Sequence, residues 1–320
     1  MSYKIAVVGP IPRDTIITHK GEVIQKYGCV SHPTVGLSKL LLNSGVVIPI
    51  TNIHKEDYEP IIELFSKYPN VLTNGINSED DQGTIINLKF IDQNNRIEKQ
   101  LENMAPISPD HVAPFLDADC FVFVPITDFE VELETLKYIK ENSTAMIIFD
   151  AHGPTTYVNE DGDRLRQFWK DKEDWFPFID VLKMNLEESL CSWFEMDYDS
   201  EAFYDENNTA HLDEFADYVL NQGVEHLFVT LDSRGCVVYS KKNEAITKSF
   251  VTSIPVDDVI DTTGCGDSFA GGLSYGFTHY NDPIKAAQFA NVLGARRTQG
   301  KGFDVFKSLD DTVEIIKAHY

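Results

Sequence analysis

The sequence predicts an α/β fold: a central, mostly parallel sheet covered by helices on both faces, with a small β-sheet outside it as a lid. Three observations carry this. Short, continuously apolar runs recur with helix-length stretches between them. A strand apolar on both sides is buried on both sides, and strands alternating with helices imply a parallel sheet. Two other segments alternate polar and apolar residues, as half-exposed hairpins do. A glycine-rich stretch, Asp261–Gly272, precedes a helix-like segment, and tight backbone turns before a helix make an anion site.

Lys4–Gly9 reads as the first buried strand. Thr15–Tyr27 alternates and supplies part of the lid. The helix Thr34–Asn43, the strand Val46–Thr51 and the helix Asp57–Lys67 follow. Gly83–Leu101, with Thr84-Ile-Ile-Asn-Leu-Lys-Phe-Ile-Asp92 and a turn at Asp92-Gln-Asn-Asn95, supplies the rest, so the lid comes from about 13–30 and 83–102. Cys120–Val124, Ala145–Asp150, Val181–Asn185 and His226–Leu231 read as further buried strands. Glu130–Glu141, Leu186–Phe194 and Leu212–Asn221 read as helices. Ligands then sit beyond the carboxyl ends of the strands. The free edge of the lid could pair with a second copy, making a homodimer.

The formal net charge of −24 argues against a nucleic-acid partner, which would demand clustered Lys and Arg. Five scattered cysteines, with no CxxC pair and no zinc spacing, fit a reducing compartment. No apolar run approaches the roughly 20 residues of a membrane span, and the first residues run straight into a strand without a signal peptide. The expected location is the cytoplasm. Between Met184 and Ser233 there are thirteen acids and no Lys or Arg. Asp197, Asp199 and Glu201 alternate as in a calcium loop, but Ala202 and Asn208 occupy the positions that need Gly and Glu. The stretch reads as a solvated acidic surface with a flexible loop near Tyr198–Thr209.

Within Asp261-Thr-Thr-Gly-Cys-Gly-Asp267-Ser-Phe-Ala-Gly-Gly272, Asp267 stands where the helix begins. An acid there is a cap or a base. Gly271, Gly272 and Gly276 fall inside the helix, each at a cost of about 1 kcal/mol relative to Ala. Close approach to a sheet or ligand would explain them. Cys265, at a helix N-terminus, is expected to have a lowered thiol pKa unless burial opposes it. Asn185 followed by Glu188 after a strand is, by spacing alone, a capping box.

The segment Asp261–Gly272 resembles the signature of the ribokinase-like (PfkB) carbohydrate kinases, Asp-Thr-x-Gly-Ala-Gly-Asp before a small-residue helix. Gly9-Pro-Ile-Pro-Arg-Asp14, Asn185-Leu-Glu-Glu188, Val229-Thr-Leu-Asp-Ser-Arg-Gly235, Phe289-Ala-Asn291 and the glycines Gly300 and Gly302 resemble other family elements in the same order. The resemblance spans essentially the whole chain. It implies a single domain over 1–320, folded as a ribokinase-like three-layer sandwich. It also implies transfer of the γ-phosphoryl group of ATP to a hydroxyl of a sugar or sugar-like substrate. Asp267 would be the general base, and the N–H groups of Gly264, Cys265 and Gly266 the anion hole. Asp14 and Gly28 would contact the sugar. Thr230, Ser233, Gly235, Asn185 and Asn291 would face the nucleotide. Glu188 would act near Mg²⁺, directly or through water, and Asp261 and Thr263 would help hold a monovalent cation such as K⁺.

The match departs in places. Cys29 and Pro33 replace a Gly and an Asn of the acceptor motif, and Asp150-Ala-His-Gly-Pro154 lacks the family's Arg. His32 and His152 are the candidates for polar contacts instead. Asp232 replaces a Gly of the nucleotide turn. The alternatives are a nucleoside kinase of the same fold, or a catalytically weak sugar or nucleotide sensor. ATP consumption against a panel of sugars and nucleosides separates them.

Overall fold

The computed structural model describes residues 2–17, 20–79, 81–91, 96–198, 204–243 and 245–320. The turn expected at Asp92–Asn95 and most of the acidic alternation beyond Tyr198 lie outside them.

In chain order the strands are β1 (Tyr3–Val8), β2 (Arg13–Ile17), β3 (Val23–Tyr27), β4 (Gly45–Asn52), β5 (Ile76–Asn77), β6 (Ile85–Phe90), β7 (Arg96–Glu102), β8 (Cys120–Phe123), β9 (Met146–Asp150), β10 (Thr156–Val158), β11 (Arg164–Arg166), β12 (Val181–Asn185), β13 (His226–Thr230), β14 (Gly235–Lys242) and β15 (Ala245–Thr252). The helices are α1 (Ser31–Leu40), α2 (Lys55–Ser66), α3 (Pro109–Val112), α4 (Leu133–Asn142), α5 (Lys172–Trp175), α6 (Leu186–Trp193), α7 (Leu212–Asn221), α8 (Cys265–Tyr280), α9 (Pro283–Arg297) and α10 (Leu309–His319).

Nine strands form the main sheet in the order β15-β14-β13-β12-β9-β8-β1-β4-β5. From β13 to β5 every pairing is parallel, and β14 and β15 add an antiparallel edge. Side chains alternate across the pleat. Ile5 and Val7 of β1 therefore join one core with Leu37, Phe269, Leu273, Phe289 and Leu293. Ala6 and Val8 join the other with Leu136, Ile139, Phe215 and Val219. The sheet is the middle of three layers. A separate four-stranded sheet, β3-β2-β6-β7, is the lid, mixed because β2 and β6 run parallel.

Local chemistry sets the helix ends. Asp282 caps α9 through the N–H groups of Ile284 and Lys285, with Pro283 in the first turn. Ser308 and Asp311 form a capping box on α10. The first long helix begins at Ser31 rather than the expected Thr34. Pro33 falls in its first turn, where a missing N–H costs nothing. The lid is tied to the body at both ends. Arg13 and the Tyr27 hydroxyl donate to Asp57 of α2 at 3.1 and 2.9 Å. Glu98 of β7 accepts from Arg164 at 2.6 Å. No helix of the described residues is long and apolar enough to cross a membrane.

Candidate active site

Two adjoining cavities lie where the carboxyl ends of β9, β12 and β13 meet the lid and the N-terminus of α8. One, of about 870 Å³, is lined by Asp14, His152, Asn185, Glu188, Thr230, Ser233, Gly235, Asn291, Thr263 and Gly264–Asp267. The other, of about 670 Å³, takes in Gly28, His32 and Asp261 and shares Asp14 and Thr263 with the first. Every residue assigned a catalytic, substrate, nucleotide or metal role from the resemblance or the sequence lines one or both.

Gly264 is the N-cap of α8, at φ 81°, a left-handed conformation suited to glycine. No described group takes the N–H of Gly264 or of Gly266, whereas the Cys265 N–H reaches the Thr262 carbonyl at 3.3 Å. The free N–H groups sit at the positive end of a sixteen-residue helix, where an anion is favoured. Asp267 stands in the first turn of that helix. Burial pushes its carboxyl up to about 6, against the pull of Lys183 and Arg164. Burial pushes the Cys265 thiol up to about 12 against the pull of Arg297, so of the two opposing effects expected from sequence, burial prevails over a lowered pKa.

Lys183 was not singled out from sequence. It is 4% exposed, donates to the equally buried Asp150 at 2.7 Å, and its Nζ lies 3.0 Å from where a Cβ on Gly266 would stand. A buried ammonium beneath the Gly264–Gly266 loop is a strong local field. Its signal was available: a lysine inside the apolar run Val181–Asn185.

Asn185 and Glu188 form the capping box that their spacing predicts. The Asn185 side chain accepts the Glu188 N–H at 2.7 Å, and Glu188 Oε2 accepts the Asn185 N–H at 2.8 Å. Glu188 Oε1 pairs with His152 Nδ1 at 2.8 Å, and the Arg164 guanidinium meets His152 Nε2 at 3.0 Å. Arginine only donates, so Nε2 accepts and Nδ1 carries the proton to Glu188. Burial and the neighbouring guanidinium groups keep this imidazole neutral, at about 4. Burial opposes ionisation of Glu188, but Lys183, His152 and Arg166 more than offset it and hold the carboxyl well below its usual range.

The remaining placements are mixed. On the nucleotide side, Thr230 ends β13, and Ser233 follows in the turn before β14. Gly235 is glycine for packing: a Cβ there would stand 2.1 Å from the Val251 carbonyl oxygen. The Asn291 amide donates to the Thr252 carbonyl at 2.9 Å and the Tyr320 hydroxyl at 3.0 Å, so it ties β15 to the C-terminus. On the acceptor side, a Cβ on Gly28 would stand 2.9 Å from Asp14 Oδ2, and Cys29 Sγ lies 3.9 Å from Asp267 Oδ1. Pro33 packs under α8, where a Cβ on Gly271 would come within 2.9 Å of it. Glu98 and Arg164, both missed from sequence, line the larger cavity. His32 is buried and accepts from Arg297 Nε at 3.1 Å. Asp261 accepts the Thr263 N–H at 3.0 Å through one oxygen; its other oxygen meets Arg297 at 3.0 Å and Lys26 at 3.2 Å.

A parallel sheet ends on a helix terminus with two untaken N–H groups, a carboxylate stands in that terminus and a lid covers it, an arrangement that suits phosphoryl transfer. The model of the pfkB family carbohydrate kinases matches residues 67–306, and the chain belongs to that family. Over 107 residues it is 33% identical to a probable fructokinase of Arabidopsis thaliana, a match covering 31% of this chain and 29% of that protein. This chain spans less than a third of the length of the curated relatives it matches. Among solved structures, the ribokinase of Arabidopsis thaliana complexed with ribose and ATP superposes with a TM-score of 0.75 at 14% identity, covering 99% of both chains. A pyrophosphate-dependent kinase of the ribokinase family, complexed with a pyrophosphate analogue and myo-inositol, superposes with a TM-score of 0.71 at 16% identity, covering 97% of this chain and 99% of the other. These likenesses establish the fold.

Proposed function

We propose that this kinase transfers the γ-phosphoryl group of ATP to a hydroxyl of a sugar or sugar-like alcohol held between the lid and Asp267. The observation that carries the reading is the anion loop. Two untaken N–H groups, a helix N-terminus and a buried lysine converge beside a carboxylate whose proton affinity is raised toward neutrality. Phosphoryl transfer demands positioning and charge neutralisation, and those groups supply both. Asp267 takes the proton of the attacking hydroxyl. The N–H groups of Gly264 and Gly266 and the Lys183 ammonium face the oxygens of the transferring group, with Cys265 N–H as a weaker third donor. Asp14, on the lid strand β2, and His152 and Arg164 beneath the lid are placed to hold the acceptor. Thr230, Ser233 and Gly235 line the donor end.

Mg²⁺ fits this donor set through water. Glu188 is ionised and lines the cavity, but a backbone N–H and an imidazole occupy its oxygens. Among the described residues there is no group of three or more His, Cys, Asp or Glu that could hold a metal ion. Mg²⁺ takes few protein ligands and keeps several waters, and when bound it neutralises donor phosphate charge. The exposed apolar residues Val23, Ile97 and Leu101 on the lid strands offer a surface for a second copy. The reaction is expected in the cytoplasm, where ATP is abundant.

The test is a phosphoryl-transfer panel of sugars, cyclitols and nucleosides with ATP and with pyrophosphate as donors, on wild type and Asp267→Asn. A sugar or cyclitol turned over with ATP, and a loss of roughly 10²–10⁴-fold in kcat for the variant, supports the reading. Preference for a nucleoside replaces the acceptor. Full turnover by Asp267→Asn removes the base.

A further inference from the structure

Arg297 ends α9 and is 1% exposed. A buried guanidinium is costly unless each arm is paired, and here each arm is. Nη2 donates to Asp261 Oδ2 at 3.0 Å, Nη1 to the Gly300 carbonyl at 2.5 Å, and Nε to His32 Nδ1 at 3.1 Å. Lys26 of the lid strand β3 reaches the same Asp261 oxygen at 3.2 Å. The other oxygen of Asp261 accepts the Thr263 N–H. The N–H of Ile260 donates to the carbonyl of Thr298, one residue beyond α9, at 2.7 Å. The segment leading into the anion loop is thus fastened to the end of α9.

The chain of contacts continues to the loop itself. Gly264 lies against the His32 ring so closely that a Cβ there would stand 2.2 Å from it. His32 accepts from a guanidinium, so it is neutral with its proton on Nε2. Burial, with Arg297 beside it, pushes its pKa down to about 3.

A bare monovalent cation beside this loop would be held by carboxylate and carbonyl oxygens. The Asp261 carboxylate and the Gly300 carbonyl are both already given to a cation of the protein. The expected potassium site at Asp261 and Thr263 does not fit the residues present. We propose instead that the Arg297 guanidinium is the built-in cation of the anion loop, a positioning residue acting through Asp261 and His32, and that this enzyme needs no added monovalent ion. The rate consequence rests on the kinase reading above; the cation consequence does not.

The wild type is assayed and melted in KCl, NaCl and choline chloride at equal ionic strength, beside Arg297→Ala and Arg297→Lys. Wild-type kcat stays within about twofold across the three salts, and its melting temperature is the same in all three. Arg297→Ala loses about tenfold or more in kcat with a smaller change in acceptor KM. Added guanidinium or potassium restores part of the kcat and raises its melting temperature, since a ligand of the folded state stabilises it. Arg297→Lys, which keeps the charge but not the fork, falls between. A wild type activated or stabilised specifically by potassium overturns the proposal. A folded Arg297→Ala or Arg297→Lys with full kcat in choline chloride does so too. If no donor and acceptor pair is turned over, the kinase reading fails, and the melting comparison still decides the cation.

Discussion

Asp232 and Cys29 carry side chains where their backbone favours none. Their φ values are 51° and 42°, in the left-handed region that costs an L-residue about 1–2 kcal/mol. Both stand where the family resemblance leads one to expect glycine, so the turns are kept while the residues differ. The sequence could show the substitutions; only the backbone shows that the shape survived them. Asp232 is exposed at the larger cavity, on the side proposed for the donor, where a carboxylate would repel phosphate. Asp232→Gly is expected to lower the KM for ATP several-fold and leave kcat unchanged, with stability changed by less than about 1 kcal/mol because glycine also loosens the unfolded chain. Steady-state kinetics and a denaturant titration check both halves. Asp267 gives a pH signature. Its carboxyl, raised to about 6, must be ionised to act as a base, so kcat/KM falls about tenfold per pH unit below that value and levels off above it. The folded state also binds this proton more tightly than the unfolded chain, so stability is lost as pH rises from the usual carboxylate range through about 6. Asp267→Asn removes that loss. It melts above the wild type at pH near 7 and together with it at pH near 4, which a pair of thermal scans reads directly.

Helix α8 shows how one element can be legible in place but not in cause. The glycines at its start line the larger cavity, where the proposed reaction needs an anion hole. Those in its interior answer to packing against other helices, not to a sheet or ligand. A Cβ on Gly272 would stand 2.4 Å from the Ala290 Cα, and one on Gly276 would stand 2.3 Å from the Ala286 Cα. Both contacts are with the backbone of α9, which cannot yield as a side chain does. Gly276→Ala gains about 1 kcal/mol of helix propensity but must push two helices apart, and overpacking of this kind costs about 1–3 kcal/mol. The net expectation is a lower melting temperature; an unchanged or raised value shows that the helix pair gives. In α6 the spacing of Asn185 and Glu188 disclosed the capping box, and the structure adds that Glu188 also faces the cavity. Glu188→Gln is expected to raise the Mg²⁺ concentration needed for half-maximal rate; a lower melting temperature with no change in that concentration limits Glu188 to capping. The outer strand β15 and helix α9 escaped sequence reading for physical reasons. Outer strand β15 is mostly exposed and lacks a continuous apolar run, while α9 is buried on most sides and presents no single stripe.

Across the whole molecule, the least legible part of the site was its positive charge. Lys183 meets Asp150 across 33 positions, Arg297 meets Asp261 across 36 and His32 across 265. No local pattern announces pairs so distant, whereas the contiguous signature Asp261–Gly272 announces itself. The chain has only 27 Lys and Arg against 51 Asp and Glu, yet Lys26, Arg164, Lys183 and Arg297 all line the two cavities. The remainder of the molecule is left strongly acidic. Two effects of salt follow, and they differ in range. Self-repulsion of the acidic surface acts over distances that salt screens, since the Debye length falls from about 30 Å at 0.01 M to about 8 Å at 0.15 M. The buried ion pairs at the site are screened far less. The melting temperature should therefore rise by several degrees over that range, equally in KCl, NaCl and choline chloride. The KM for ATP should fall or hold level, because the acidic surface that repels the nucleotide is screened before the cations that hold it. A KM that climbs steeply with salt would mean that exposed cations, rather than the buried lysine and arginines, bind the phosphates.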